Sequence, residues 1–293
     1  MVEQPRMDKG GRPSNDSNPP IRSRRVRLPG NQIFQGVLVT IIFLLLLLVF
    51  SAIVNVVWKG AGGLAVSLAT EEIQFAMRLS FFTSITSTLI CILFAIPVAY
   101  GLEHLKIPGR NLISTILDLP MSLPPLVSGV ALLLLLGNTE VGRSLAEHGL
   151  KFVFSVKGII LAQFFIITPY MIRVLKSTMA DISPRLEFVA RTLGCSQWQA
   201  FIRVTLPLAR NGILAGLVIC WARAIGEFGC SLMLAGATRM KTETLPIALF
   251  LNMSVGDLEM AMASATCLIA ISLMALLIFE LLGSIIRPDS RRI

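Results

Sequence analysis

The chain has 293 residues, of which 54% are hydrophobic and only 15% are charged. Soluble proteins average roughly 45–50% apolar and about 25% charged residues, so this composition excludes an ordinary soluble domain. The mean hydropathy of +0.76 agrees, because one core could not bury so much apolar surface. Disorder, a collagen-like fibre and a disulfide scaffold are excluded as overall structures. An all-α, polytopic membrane protein is the fold class that remains.

The net charge of +9 suggests nucleic acid or anionic lipid, depending on where the basic residues lie. The five cysteines include no C-x-x-C pair, and the chain has only two histidines. We therefore predict neither a metal site nor a cofactor on this chain.

Residues 1–31 form a basic tail that is rich in Pro, Gly, Ser and Asn and has no apolar period. We expect this tail to be disordered or peripheral. Residues 32–58 carry no charge and form an apolar run too long for a signal peptide, and no A-x-A cleavage site follows them. They are predicted to form the first transmembrane helix, since about 20 apolar residues cross the hydrocarbon.

Five further apolar stretches complete a prediction of six transmembrane helices, which places both termini on one side of the membrane. Prolines in or beside three of these stretches are expected to kink the helices. The stretches are residues 75–101, 119–137, 157–175, 210–236 and 259–286, and residues 287–293 form a short C-terminal tail.

The basic residues give the orientation of these spans. With the N-terminus inside, segments 1–31, 102–118, 173–210 and 287–293 hold 18 Lys and Arg residues, against six in the outer loops. Cytoplasmic segments carry such an excess, so both termini are predicted to be cytoplasmic. Topology then explains most of the net charge and leaves no argument for nucleic acid. We predict a multi-pass protein in the inner membrane of a prokaryote.

Sequence motifs for chemistry on this chain are missing. It contains no G-x-x-x-x-G-K-[ST], no G-x-S-x-G and no H-E-x-x-H. The chain is therefore predicted not to be an enzyme, and any ATP hydrolysis must occur on another subunit. We also find no repeat of 20–50 residues, which disfavours a secondary transporter built from two related halves.

The long inner segment 181–207 has a helical pattern of its own between two predicted spans. Pro184 is placed in a first helical turn, apolar residues recur at helical spacing, and Gly194 is placed to end the helix. A second short amphipathic piece ends at Leu206 and Pro207. The pattern alone fits either a helix lying on the membrane surface or one that docks into a groove of a soluble partner.

This segment resembles the EAA loop of ABC importer permeases, whose pattern is E-A-A-x3-G-x9-I-x-L-P. Four positions match at the required separations and a valine replaces Ile, whereas Phe188 and Val189 occupy the first two positions and Glu187 lies one residue early. The resemblance implies that this loop seats a coupling helix on an ATPase subunit. The coupling residues it implies are Glu187, Phe188, Val189, Ala190, Arg191, Gly194, Val204, Leu206 and Pro207.

The resemblance continues over roughly residues 75–286. Three stretches are similar to the molybdate, tungstate and sulfate branch of these permeases: residues 119–137, 222–236 and 241–249. This likeness implies a type I ABC importer permease fold with residues 73–286 as its core. The implied partners are a second copy of the chain, two ATPase subunits that bind ATP and Mg, and an external oxyanion-binding protein. Molybdate or tungstate is favoured over sulfate or thiosulfate.

The fifth predicted span carries Arg223 and Glu227, which are four residues apart and therefore share one helix face. Each must face protein or water, because a charge at the bilayer centre costs about 2.5–3.5 kcal/mol on insertion scales. The two residues form either a mutually neutralising pair or part of the route of a divalent oxyanion. The candidate pathway or gate residues are Arg223, Gly226, Glu227, Gly229, Pro124 and Pro125.

Each candidate pathway residue also has a structural interpretation. The glycines permit close packing within one subunit as readily as between two, and the prolines fit a kink at the start of a span. A self-contained channel or secondary transporter, with Arg223 and Glu227 as its ion site, is the alternative function. An intramembrane enzyme has almost no support, since no acid pair, metal cluster or nucleophile–base set appears within the spans.

Overall fold

The computed structural model describes residues 31–61, 64–105 and 107–286, so the predicted tails at residues 1–30 and 287–293 lie outside it. Every regular element in the described residues is helical, which confirms the all-α prediction. The helices are α1 (Asn31–Ala61), α2 (Leu64–Ala69), α3 (Glu71–His104), α4 (Arg110–Ser122), α5 (Pro125–Asn138), α6 (Glu140–Glu147), α7 (Val156–Ala180), α8 (Pro184–Thr192), α9 (Gln197–Ala200), α10 (Leu206–Ile225), α11 (Gly229–Ala235), α12 (Leu245–Ser254) and α13 (Leu258–Ile286), with a π-helical turn (Phe201–Thr205) before α10.

The chain divides into two compact units, residues 1–51 and 52–293. The described part of the first unit is the beginning of α1, where the side chains of residues 34–50 are all exposed and mostly apolar. A helix that is apolar on every face suits lipid rather than water. The predicted first span, residues 32–58, is helical throughout.

The core of the second unit lies where α3, α7 and α10 pack together. Small residues on α3, among them Ala95 and Ala99, are buried against Met171 and Leu175 of α7. Cys220 of α10 joins the same cluster. Because small side chains alternate with large ones across the contact, the three helices pack closely, and they form the frame that holds the broken helices described below.

Two glycines bring α10 close to α7. A side chain on Gly216 would lie 2.9 Å from the sulfur of Met171, and one on Gly212 would overlap Thr178. The G-x-x-x-G spacing places both glycines on one face of the helix. This face is therefore used for packing within one chain.

Five helices are long and apolar enough to cross a membrane, and α4 with α5 adds a sixth span when this bent pair is counted as one. Over the described residues, the count agrees with the six predicted spans. Pro97 and Pro169 lie inside α3 and α7, as predicted. The five single spans are Phe34–Gly60, Glu71–His104, Val156–Ala180, Gln197–Ile225 and Leu258–Ile278.

The third predicted span, residues 119–137, differs from a single straight helix. α4 ends at Ser122, α5 begins at Pro125, and the two axes are bent by 110°. Pro124 disfavours a helical conformation for Leu123, whose ψ is 144°. Pro124 also has no N–H to continue the backbone hydrogen bonds of α4. The proline pair therefore turns the chain sharply inside the span.

The fifth predicted span, residues 210–236, differs as well. The helix begins earlier, because the π-helical turn joins α9 to α10, and it ends at Ile225. Residues 226–228 are not helical, and α11 begins at Gly229. Glycine costs a helix interior about 1 kcal/mol relative to alanine, which favours an end at Gly226.

Candidate coupling loop and translocation pathway

The helix predicted inside the inner loop is present as α8. Gly194 follows it with φ of +93°, a left-handed conformation that glycine adopts without strain. The N–H of Gly194 donates to the carbonyl of Arg191 and the N–H of Cys195 to that of Ala190, both at 3.1 Å. These two bonds form a Schellman cap, so Gly194 ends the helix as predicted.

The apolar surface of α8 has no partner in the described part of the chain. None of the residues of α8 is buried, and the Phe188 side chain is 67% exposed. Leu186, Val189 and Leu193 are exposed around it. Exposed apolar side chains gathered on one short helix favour a site of interaction with another protein or with a membrane.

Glu187 points in a different direction from Phe188. Its carboxylate accepts a hydrogen bond from the Tyr100 hydroxyl at 3.2 Å and another from the Thr205 hydroxyl. Tyr100 lies on α3, and Thr205 is buried at the end of the π-helical turn. The acid of this loop is therefore bound inside the chain.

Ala190 and Arg191 lie in α8, and the last three predicted loop residues lie at or just before the start of α10. The N–H of Leu206 donates to the carbonyl of Phe201, five residues back, and Leu206 packs against the core of α3, α7 and α10. Val204 lies within the π-helical turn, and Pro207 is the second residue of α10. The loop thus leads directly into a membrane span.

Arg223 and Glu227 form an ion pair across the end of α10. Arg223 Nη1 donates to Glu227 Oε2 at 2.9 Å, and Glu227 Oε1 accepts the N–H of Cys230 at 2.9 Å. Glu227 is only 1% exposed, whereas Arg223 keeps 34% of its side chain exposed. The two residues do not share a continuous helix, as the sequence had implied, because α10 ends at Ile225. The turn that follows nevertheless keeps them in contact.

All six predicted pathway residues line one cleft of about 330 Å³. The break between α4 and α5 forms one wall, and the break between α10 and α11 forms the other. Irregular backbone at membrane depth is tolerated only where it is buried in protein or lines a polar cavity. The lining consists of Pro124, Pro125, Arg223, Gly226, Glu227 and Gly229, together with Leu126 and Phe228.

Glycines bring the two broken helices into backbone contact. A Cβ on Gly229 would lie 3.1 Å from the backbone nitrogen of Leu126, and one on Gly129 would lie 2.7 Å from the carbonyl oxygen of Cys230. Gly229 therefore packs within one chain, whereas a Cβ on Gly226 would meet only the carbonyl oxygen of Ala222, at 3.8 Å. Sequence reasoning missed Gly129, although a glycine inside an apolar span is a signal of close approach.

Residues 91–292 match the family described as the binding-protein-dependent transport system inner membrane component. The match includes the coupling loop and both broken helices. The chain belongs to this permease family. The identification confirms the ABC importer permease that the EAA spacing implied, a multi-pass transport subunit of the inner membrane rather than an enzyme.

Relatives of the permease include proteins of oxyanion transport. The molybdenum transport system permease protein ModB of Haemophilus influenzae is 37% identical, over 71% of this chain and 92% of that protein. A probable molybdenum ABC transporter permease protein of Haloferax volcanii is 35% identical, over 77% and 81%. The sulfate transport system permease protein CysW of a Synechocystis species is 32% identical, over 83% and 88%.

The fold of the permease is similar to that of solved ABC transporters. The crystal structure of a bacterial alginate ABC transporter, in complex with its alginate pentasaccharide-bound periplasmic protein, matches with a TM-score of 0.70. The match covers 85% of this chain and 93% of that chain at 18% identity. This likeness confirms the predicted fold of an ABC importer permease.

One buried polar residue of the permease, missed from the sequence, lies behind the cleft. Gln163 of α7 is 1% exposed and donates through Nε2 to the carbonyl of Ala224 at 3.0 Å. Its Oε1 accepts the hydroxyl of Ser87 at 3.2 Å. The Ala224 carbonyl also accepts the N–H of Glu227 at 3.0 Å, so Gln163 adds a side-chain donor to the turn that ends α10. A lone Gln in an apolar span is the signal that could have found it.

A second missed cluster lies in the loop between α11 and α12 of the permease. Arg239 donates to Glu72 at 2.7 Å and to Asn252 at 2.8 Å, and it lies 3.6 Å from Glu243. Glu243 is fully buried and accepts the N–H of Met240 at 2.9 Å. Burial raises the pKa of Glu243, while this N–H and the Arg239 guanidinium oppose the rise. The cluster ties the start of α3 to α12.

Proposed function

We propose that this permease imports a tetrahedral oxyanion, molybdate or tungstate, as the membrane-spanning part of an ATP-driven transporter. Relatives whose names specify molybdenum or sulfate support this cargo at 32–37% identity. Sulfate or thiosulfate is the alternative cargo, with the same charge and shape. An external binding protein delivers the oxyanion; the similar alginate transporter was solved with a periplasmic protein of this kind.

The observation that carries the proposal is the exposed apolar surface of α8, the helix between α7 and α10. A groove on a soluble ATPase subunit would cover this surface, as in other helix-in-groove complexes. The permease then assembles as a homodimer with two ATPase subunits, which bind ATP and Mg. When the two ATPase subunits close, they would move α8, and α8 would transmit this motion to the spans as a rigid-body rotation.

The proposed orientation places both termini and α8 in the cytoplasm. Its support is the excess of basic residues, 18 against six, in the segments that this orientation makes cytoplasmic. The loops before α7 and α12 would then face the external binding protein. This arrangement puts the ATPase and the binding protein on opposite faces of the same bundle.

The cleft between the two broken helices is the proposed route of the cargo. A guanidinium has five N–H donors, and Arg223 uses one on Glu227 while remaining partly exposed. Its other donors have no partner among the described residues and would be available to an oxyanion in transit. Glu227 neutralises the charge of Arg223, so the cleft holds no net positive charge that would trap a dianion. Selection of the cargo would belong to the binding protein.

The coupling part of the proposal is tested with Gly194→Arg in the permease expressed with its ATPase. We expect normal membrane insertion and loss of ATPase co-purification. Gly256→Arg is the matched control, because Gly256 also has a positive φ and open space around it but belongs to the turn between α12 and α13. Normal transport by the Gly194 variant would refute a coupling role for α8.

The cargo is tested by uptake into proteoliposomes that contain the permease, its ATPase and its binding protein. Labelled molybdate, tungstate and sulfate are compared, and we expect ATP-dependent uptake of the first two. Calorimetric titration of the binding protein with the same three oxyanions gives an independent answer. Uptake by the permease alone, without ATPase or ATP, would instead establish a channel or secondary transporter.

A further inference from the structure

Both oxygens of the Glu187 carboxylate are bound to side chains outside α8. The Tyr100 hydroxyl donates to Oε2 at 3.2 Å, and the Thr205 hydroxyl donates to Oε1. Tyr100 belongs to α3 and Thr205 to the turn that opens into α10. Within the described residues, this carboxylate is the only side chain of α8 that makes a hydrogen bond to α3.

The position of Glu187 in the sequence explains why its side chain points toward the bundle. An α-helix turns by about 100° per residue, because it has 3.6 residues per turn. The EAA pattern places its acid at position 188, where this chain has the exposed Phe188. Moving the acid back by one residue rotates it away from the exposed surface and toward Tyr100. The carboxylate therefore faces the bundle instead of a docking partner.

Aromatic packing fixes the Tyr100 hydroxyl in place. The Tyr100 ring is stacked on His104 with centroids 4.6 Å apart, and it contacts Phe201 at 4.5 Å. Trp198 also packs on Phe201, with ring centroids 5.6 Å apart. Thr205 is fully buried, so its hydroxyl is equally fixed. Both donors are thus held in place by their own packing.

We propose that Glu187 is a positioning residue that transmits the displacement of α8 to α3 and α10. The proposal rests on the coupling function of α8 proposed above. Short non-helical segments join α8 to its neighbours at both ends and would absorb part of a displacement. Hydrogen bonds to a carboxylate are about twice as strong as neutral ones. Here they connect α8 directly to α3 and to the turn before α10, independently of those segments. Glu187 therefore transmits the closing motion of the ATPase subunits to two spans at once without contacting the ATPase.

The test uses the complete transporter in proteoliposomes and measures cargo uptake per ATP hydrolysed. For Glu187→Ala, Tyr100→Phe and Thr205→Val we expect the ATPase to co-purify and to hydrolyse ATP, while uptake per ATP falls about tenfold, the factor corresponding to one lost hydrogen bond to a charged group. Glu187→Gln should retain most of the uptake, because its amide can bond to both hydroxyls. The effects should also be non-additive when combined.

Tyr170→Phe is the matched control, because the Tyr170 hydroxyl has no hydrogen-bond partner among the described residues and its ring only packs on the core. It should leave uptake per ATP unchanged. Loss of the ATPase from the Glu187→Ala complex would identify Glu187 as a docking contact and overturn the proposal, as would normal uptake per ATP. Failure of the unmodified permease to bind any ATPase would refute the coupling function itself.

Discussion

Glu227 pairs with Arg223 and at the same time accepts the N–H of Cys230, so one buried carboxylate joins the end of α10 to the start of α11. The helix that would have aligned Arg223 and Glu227 stops between them, yet their 2.9 Å contact is kept. A break in a membrane helix leaves polar backbone groups without partners. Here Glu227 accepts the N–H of Cys230 and Gln163 donates to the carbonyl of Ala224, while the irregular backbone lines the cleft.

Glu227→Ala should destabilise the permease by about 2–3 kcal/mol. The change leaves Arg223 without its partner in a largely buried site and removes the acceptor of the Cys230 N–H. Thermal unfolding in detergent should show a decrease in Tm of roughly 5–10 °C. Glu140→Ala is the control, because the Glu140–Arg143 pair is exposed and should contribute under about 0.5 kcal/mol. Equal effects of the two changes would contradict this role.

Gly129→Ala should destabilise the contact between α5 and α11. The added methyl would lie 2.7 Å from a backbone oxygen of Cys230, which cannot move without shifting α11. Overpacking of this kind costs about 1–3 kcal/mol. Gly137→Ala on the same helix has its nearest neighbours at 4.0 Å, so it should be neutral or slightly stabilising. Comparing the unfolding temperatures of the two variants checks the prediction.

The stability of the permease should depend on pH through Glu243. Its pKa in the folded chain is raised by burial, so between the ordinary value of 4.5 and the raised value the folded state binds more protons than the unfolded state. Stability therefore falls as pH increases through this window. Glu243→Gln should flatten this part of the Tm profile, whereas Glu140→Gln, at an exposed carboxyl that pairs with Arg143 instead, should leave its slope in place. A profile unchanged by Glu243→Gln would contradict the assignment.

Phe188→Ser should weaken the binding of the ATPase without destabilising the permease. Phe188 makes no buried contact within the described chain, and surface substitutions usually change stability by less than about 0.5 kcal/mol. Apolar residues at the centre of an interface often contribute more than 1 kcal/mol each, so affinity should fall about tenfold. Val255→Ser, at an equally exposed apolar residue outside α8, is the control. Titration of ATPase binding to the purified permease measures both.

Sequence patterns predicted α8 and its end correctly because their causes are local. Proline in the first turn, apolar residues at helical spacing and a glycine at the C-terminus all act within a dozen residues. The same local logic predicted five of the six spans as apolar helices, although the fifth proved shorter at its C-terminus. It also placed the prolines of the third span at a kink, but it did not predict a turn of 110°.

The sequence by itself determined the class of protein, the number of spans and the loop that carries the coupling pattern, since each depends on composition or on residues close together in the chain. Only the tertiary structure decided where the spans break and which hydroxyls Glu187 meets. It also decided that Gln163 meets Ser87, 76 residues away, and that Pro124 and Arg223 line one cleft. These contacts depend on how helices pack across the bundle, and packing joins residues whose separation no local pattern records.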